Sequence, residues 1–246
     1  MNRRVTWPAF EHGRAETLAT LHEAVLLPRD FAPVLPKVHP GEDVVVLVHG
    51  FFASAGVFRP MRKHLEQNAG ARVASFTHLP GAGVRRIALS LAKVIDRIPH
   101  GSRIHIVGHS LGGLVARWYV QELGGYARVT QTISLASPFG GTPAATRFPW
   151  LVGADLTPSS PVLETLRSRA RVDVPHTSIV GTHDRLVPAK NGTFVHGEVV
   201  LLHGRGHNAL LFDREVSRIL VERIRRVPAP STEPAQPLTN RATDAA

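Results

Sequence analysis

Cysteine is absent from all 246 residues, which excludes a disulfide framework, a thiolate metal site and a cysteine nucleophile. No stretch approaches the roughly 18 consecutive apolar residues that span a bilayer, and this leaves only peripheral membrane contact, through a short apolar surface, open. Met1 to Arg14 carries Arg3, Arg4, Glu11 and Arg14 with no apolar run between them. It therefore lacks the core of a secretory signal, and a soluble, cytoplasmic protein is expected. Internal repeats are missing, as is an acidic cluster suited to calcium. Acids are also few, since 19 Asp plus Glu against 29 Lys plus Arg leave a net charge of +10. Such an excess raises a nucleic-acid partner as a question. The basic residues are scattered, however, and the densest group, Arg223, Arg225 and Arg226, falls at an expected helix end where cations complement the helix dipole. No nucleic-acid partner is expected.

What is present suits one domain with a sizeable core: 43% of residues are hydrophobic and 20% charged. Val44 to Val48 is a continuous apolar run of the kind buried on both faces of a parallel sheet. Similar runs follow at Arg72 to Phe76, Arg103 to Val107, Val129 to Leu135, Thr177 to Val180 and Glu198 to Leu202. Helical patterns alternate with them. Val84, Ile87, Ala88, Leu91, Ile95 and Ile98 form one apolar stripe, and Val57 to Asn68, Leu111 to Leu123 and Asn208 to Arg226 also read as helices. The alternation predicts an α/β fold, a doubly wound and mostly parallel sheet of about six strands. Residues 1–42 read as an irregular N-terminal arm with a short helix around Arg14 to Leu26, and 43–227 as the domain. Within that domain, 139–175 carries five prolines and is too long for an ordinary connection, so a small cap is expected there. The Pro-, Ala- and Thr-rich tail 228–246 is expected to be disordered.

The strongest chemical feature is a strand, Arg103 to Val107, running into Gly108-His109-Ser110-Leu111-Gly112 and then into a helix. Glycines flanking a serine let the backbone turn sharply and expose the hydroxyl, which makes Ser110 a candidate nucleophile. A Gly-rich turn that binds phosphate at a helix start is the plainer alternative. A serine needs a base, and the base an acid; with an elbow of this type they follow in the order acid, then histidine, each after a late strand. His207 lies in a glycine-rich loop after the last strand, whereas His203 belongs to the strand end. Asp184 follows the strand ending at Val180, with Asp155 in the cap and Asp213 in a late helix as weaker alternatives. The amides of Phe51, after the first strand, and Leu111, at the helix start, are candidate oxyanion donors. His49 is expected to buttress the loop rather than exchange protons. The apolar residues Phe52, Phe139 and Trp150, together with Phe148, Leu151 and Val152, are candidates for a pocket wall, or simply pack the cap onto the domain.

At these residues the sequence resembles the α/β-hydrolase superfamily, in its lipase and esterase-like branch, which includes bacterial triacylglycerol lipases. The resemblance runs from about Asp43 to Arg226. It takes in His49-Gly50-Phe51, the elbow, Ser134 to Pro143 and Asp155 to Leu166. It implies a serine hydrolase acting through an acyl-enzyme on a small-molecule ester with an apolar acyl chain, with no cofactor and no metal. An epoxide hydrolase would want an acid where Ser110 stands. An acyltransferase or thioesterase could use the same triad, and a non-catalytic binding protein on this fold is a more distant alternative. One expectation needs only the sequence: 228–246 offers few apolar side chains with which to dock. Truncation after Val227 should leave ester hydrolysis and melting temperature unchanged, and a fall of several degrees would show that the tail packs on the domain.

Overall fold

In the computed structural model, which describes residues 9–26, 30, 32–143, 145, 153–171 and 173–226, the wholly apolar run after Asp43 becomes strand β1 (Asp43–Val48), and Val44 to Val48 are completely buried. Both faces of the sheet are covered by helices, so neither side of the strand tolerates polar residues. The remaining strands are β2 (Arg72–Phe76), β3 (Arg103–His109), β4 (Val129–Leu135), β5 (His176–Gly181) and β6 (Glu198–Leu202). They form one six-stranded sheet in the order β2-β1-β3-β4-β5-β6, with every neighbour parallel. The chain leaves β1 toward one edge and returns on its other side at β3. The crevice at the carboxyl ends of β1 and β3 is where open sheets of this kind gather their ligands.

Two apolar layers sandwich the sheet. Val44, Val46 and Val48 pack against helices α3 (Gly83–Ile95), α4 (Leu111–Glu122) and α6 (Pro161–Ser168), while Val45 and Leu47 face α2 (Arg59–Asn68) and α8 (Arg214–Arg225). The predicted stripe of α3 is the buried one, from Val84 to Ile95. Strands β3 and β5 run one or two residues longer than expected, and three helices differ more from the sequence reading. The helix expected at 57–68 opens with a short 3₁₀ turn, Ala55–Phe58. The helix expected at 208–226 is two, α7 (Ala209–Phe212) and α8, because Asp213 has extended backbone and its carboxylate accepts from the amides of Glu215 and Val216 at 2.7 and 3.2 Å. The arm is helical over Ala9–Leu26 (α1), longer than expected; among its described side chains Leu18, Leu21 and Val25 are exposed, and Ala19 and Leu26 are buried. In the segment expected as a cap, the three-residue helix α5 (Ala154–Leu156) precedes α6, a crossover helix whose Val162, Leu163 and Leu166 join the core. Thr142, Ala145, Gly153 and Leu156, from the first part of that segment, line a cavity at the carboxyl edge of the sheet. No described helix is long and apolar enough to cross a membrane.

At the opposite edge, Asp43 anchors a polar cluster that crosses three strands. Its carboxylate accepts from the Arg103 guanidinium and, at 2.8 Å, from His105 Nε2. Gln131 Nε2 donates to His105 Nδ1 at 2.9 Å and to the Arg223 carbonyl of α8 at 3.0 Å. Burial raises the Asp43 pKa, but the hydrogen bonds from His105 and Arg103 outweigh it and hold the carboxyl at about 2, below its ordinary 3.8. A depressed carboxylate contributes stability that is present above the unfolded value and is lost as pH falls through the folded one. Asp43→Asn should therefore lower the melting temperature at neutral pH and flatten its decline between pH 3.8 and about 2. Acid melts that run parallel to wild type across this window would contradict the linkage.

Candidate active site

Ser110 joins β3 to α4 with φ 51° and ψ −120°, a positive φ that a non-glycine residue adopts only where its surroundings force it. Those surroundings are tight. A Cβ on Gly108 would come within 2.3 Å of the Gly112 and Gly113 backbone, and one on Gly112 within 2.0 Å of the Val48 carbonyl oxygen. The turn thus closes only because the flanking positions carry no side chain. Ser110 N–H donates to the Leu135 carbonyl at 2.8 Å, pinning the turn to β4.

His207, in the loop after β6, and Ser110 line the same cavity of about 410 Å³. His207 Nδ1 donates to Asp184 Oδ2 at 2.7 Å, and this leaves Nε2 as the accepting nitrogen of the ring. The other Asp184 oxygen accepts from the amides of Leu186 and Val187, both at 2.8 Å, so the carboxylate is oriented by its own turn. Both side chains are buried. Register then brings the loop after β1 to the serine. Val48 pairs with Gly108, and a Cβ on Gly50 would lie 3.0 Å from Ser110 Cβ. Phe51 follows directly and lines the cavity. Leu111 is the first residue of α4, so no carbonyl of its own helix is available to its amide.

Residues 39–165, more than half of the chain, match the family described as "Putative serine esterase (DUF676)". The chain belongs to this family. Its fold is shared with the mature lipase BlEst2 of Bacillus licheniformis, at a TM-score of 0.64 and 14% identity over 78% of this chain and 95% of that one. Lipase B of Aspergillus fumigatus superposes with a TM-score of 0.63 at 20% identity, over 78% of this chain and 56% of that one. The metagenomic carboxyl esterase MGS0156 gives 0.57 at 18% identity, over 84% and 85%. Likeness at these identities establishes the α/β-hydrolase fold.

In this DUF676 chain the other candidates for acid and base do not line the cavity. Asp155 accepts from the Val84 amide at the start of α3, Asp213 pairs with Arg205 and begins α8, and His203 is exposed. His49 Nδ1 donates to the Gly50 carbonyl at 2.7 Å, its Nε2 accepts from the His78 amide at 3.1 Å, and the two rings stack at 3.8 Å. Burial, reinforced by the neighbouring His78, pushes the His49 pKa down to about 3, so at neutral pH this residue is an uncharged tie between two loops. Phe52, with φ 56°, is exposed and lines the cavity, tilted against Phe51 at 3.9 Å. Phe139 does not line it. Its ring is buried between His176 and Phe194, at 5.3 and 5.1 Å, while the neighbouring Pro138 lines the cavity in its place. Trp150, Phe148, Leu151 and Val152 lie outside the described residues. Among those described, no three His, Asp or Glu side chains converge on a position that could hold a metal ion.

Two contributors escaped the sequence reading. His109, the variable residue of the elbow, is buried against the cavity, and its Nε2 donates to the His207 carbonyl at 3.3 Å. Burial, with His207 close by, holds its pKa well below the ordinary imidazole range. Helix α1 supplies Thr20 and Ala24 to the cavity wall; with no single apolar stripe, it left no signal of where it would dock. The glycine contacts generate a direct test. Gly112→Ala sets a methyl group 2.0 Å from a main-chain oxygen of the neighbouring strand, which cannot rotate away, and should cost about 3 kcal/mol or more. Chemical denaturation reads that cost, and a variant as stable as wild type would mean that β1 and α4 are less closely apposed.

Proposed function

We propose that this chain hydrolyses carboxylic esters through an acyl-enzyme formed on Ser110, with His207 as general base and Asp184 as its orienting acid. What carries the reading is the ordered His207–Asp184 pair opening into the same cavity as a serine held at positive φ. Ser110 Oγ attacks the ester carbonyl carbon as its proton passes to His207 Nε2. Oxyanion charge is taken up by the Phe51 and Leu111 amides. Collapse breaks the bond to the alcohol, which leaves with the proton from His207. Water then attacks the acyl-enzyme with His207 again as base, and the carboxylic acid departs as Ser110 regains its proton. Throughout, Asp184 holds the imidazole in one tautomer and stabilises it while charged. These steps require no metal or organic cofactor.

The substrate is a small ester with an apolar acyl chain. Support comes from the cavity, about 410 Å³ and bounded by Phe51, Phe52, Ala145, Leu156, Leu186 and Val187, which suits short to medium chains. Each methylene buried there contributes up to about 0.8 kcal/mol, or about fourfold in kcat/KM. Across p-nitrophenyl esters of increasing length, kcat/KM should climb and then fall once the cavity is full. Ser110→Ala and His207→Ala should each abolish turnover with the circular dichroism spectrum unchanged, since members of such a unit lose activity together rather than additively. Asp184→Asn should retain more. Undiminished turnover by Ser110→Ala, or a fluorophosphonate adduct on Ser137 or Ser160, would overturn the assignment.

A further inference from the structure

The loop that carries His207 is glycine-rich, and before the histidine it is tied to the loop after β5, where the Gly204 amide donates to Thr182 Oγ1 at 2.9 Å and the Arg205 carbonyl accepts from the His183 amide at 3.0 Å. It runs Gly204-Arg205-Gly206-His207-Asn208 and leads into α7, only four residues long. Asp184 restrains the ring and His109 touches the carbonyl. A further restraint, on the peptides that flank the histidine, comes from almost two hundred residues away in sequence. Glu16, on α1, accepts from the Asn208 amide at 2.8 Å with one carboxylate oxygen and from the Ala209 amide at 3.0 Å with the other. On the other side of the histidine, a Cβ on Gly206 would fall 2.3 Å from Glu16 Oε2. The missing side chain at 206 is therefore the space that the carboxylate occupies.

We propose that Glu16 is a positioning residue for His207: its carboxylate braces the backbone on both sides of the general base and sets where Nε2 stands relative to Ser110. The proposal rests on the serine-hydrolase reading above. Two charge-assisted bonds from consecutive amides fix the peptide planes that follow His207, and a small rotation of those planes displaces the imidazole. Transfer of a proton between Oγ and Nε2 is sensitive to such displacement, with 1 Å costing on the order of a hundredfold. The same helix adds an Asn208 Nδ2 to Thr20 Oγ1 bond at 3.3 Å and a stack of His22 on Phe212 at 4.4 Å. Docking of α1 and placement of the carboxylate can therefore be tested separately.

The test measures kcat and KM on p-nitrophenyl butyrate per active site titrated with a fluorophosphonate, so that unfolded molecules do not count. Glu16→Gln keeps the size of the side chain but offers an NH₂ to one of the two amides. Its kcat should fall about tenfold with KM within about twofold. Gly206→Ala, which displaces the carboxylate from the other side, should show the same split and keeps the question open to measurement if Glu16→Gln fails to fold. His22→Ala loosens α1 without touching the carboxylate, and its kcat should stay within about twofold of wild type. The proposal is overturned if either Glu16→Gln or Gly206→Ala turns over like wild type, or if His22→Ala loses as much as they do. Wild-type protein that does not label at Ser110 would instead overturn the serine reading, and this inference with it.

Discussion

The close apposition of β1 with the β3–α4 turn is the constraint on which the site depends. Val48 pairs in register with Gly108, and its carbonyl oxygen lies against Gly112 with no room for a methyl group. A one-residue slip of that parallel pairing would turn the buried valines of β1 out of their layers. It would also separate Gly50 and Phe51 from Ser110. Core packing and chemistry are thus enforced by the same contact, because the apolar faces that fix the register stop where the two loops begin.

Around this edge the sequence places His49, His78, His109 and His207, and their surroundings give them different work. Burial holds the first three below the ordinary imidazole range, so they serve as uncharged hydrogen-bonding groups that connect loops. His207, of these four, is the one bonded to a carboxylate. A buried ring without a counter-charge is costly to protonate, and burial accordingly keeps His49, His78 and His109 uncharged. The same arithmetic explains the opposite edge, where Asp43 keeps its charge because His105 and Arg103 both donate to it.

Helix α1 is attached differently from the rest of the fold. The sheet-covering helices bury apolar stripes, but α1 leaves Leu18, Leu21 and Val25 exposed, and among its described side chains Glu16 and Thr20 make hydrogen bonds, and His22 a ring stack, with the loop and helix after His207. Its attachment is therefore specific to one place, beside the cavity that Thr20 and Ala24 help to line.

Parallel strands were legible in the sequence because burial on both faces demands unbroken apolar runs, and the stripe of α3 because one face of a helix meets the core. The sharp turn at Ser110 was legible from the glycines that flank it, and the placement of Asp184 and His207 in loops after late strands from the order of the apolar runs. The break at Asp213 could have been anticipated only from its capping role. The burial of Phe139 and the docking of α1 left no local pattern, since each depends on which distant surface is close by once the sheet has formed. Periodicity and turn chemistry are properties of neighbouring residues, and the sequence determines them by itself. The bond from Glu16 to Asn208, the bond from His109 to His207 and the identity of the cavity wall depend on long-range distances, and those were decided by the tertiary structure.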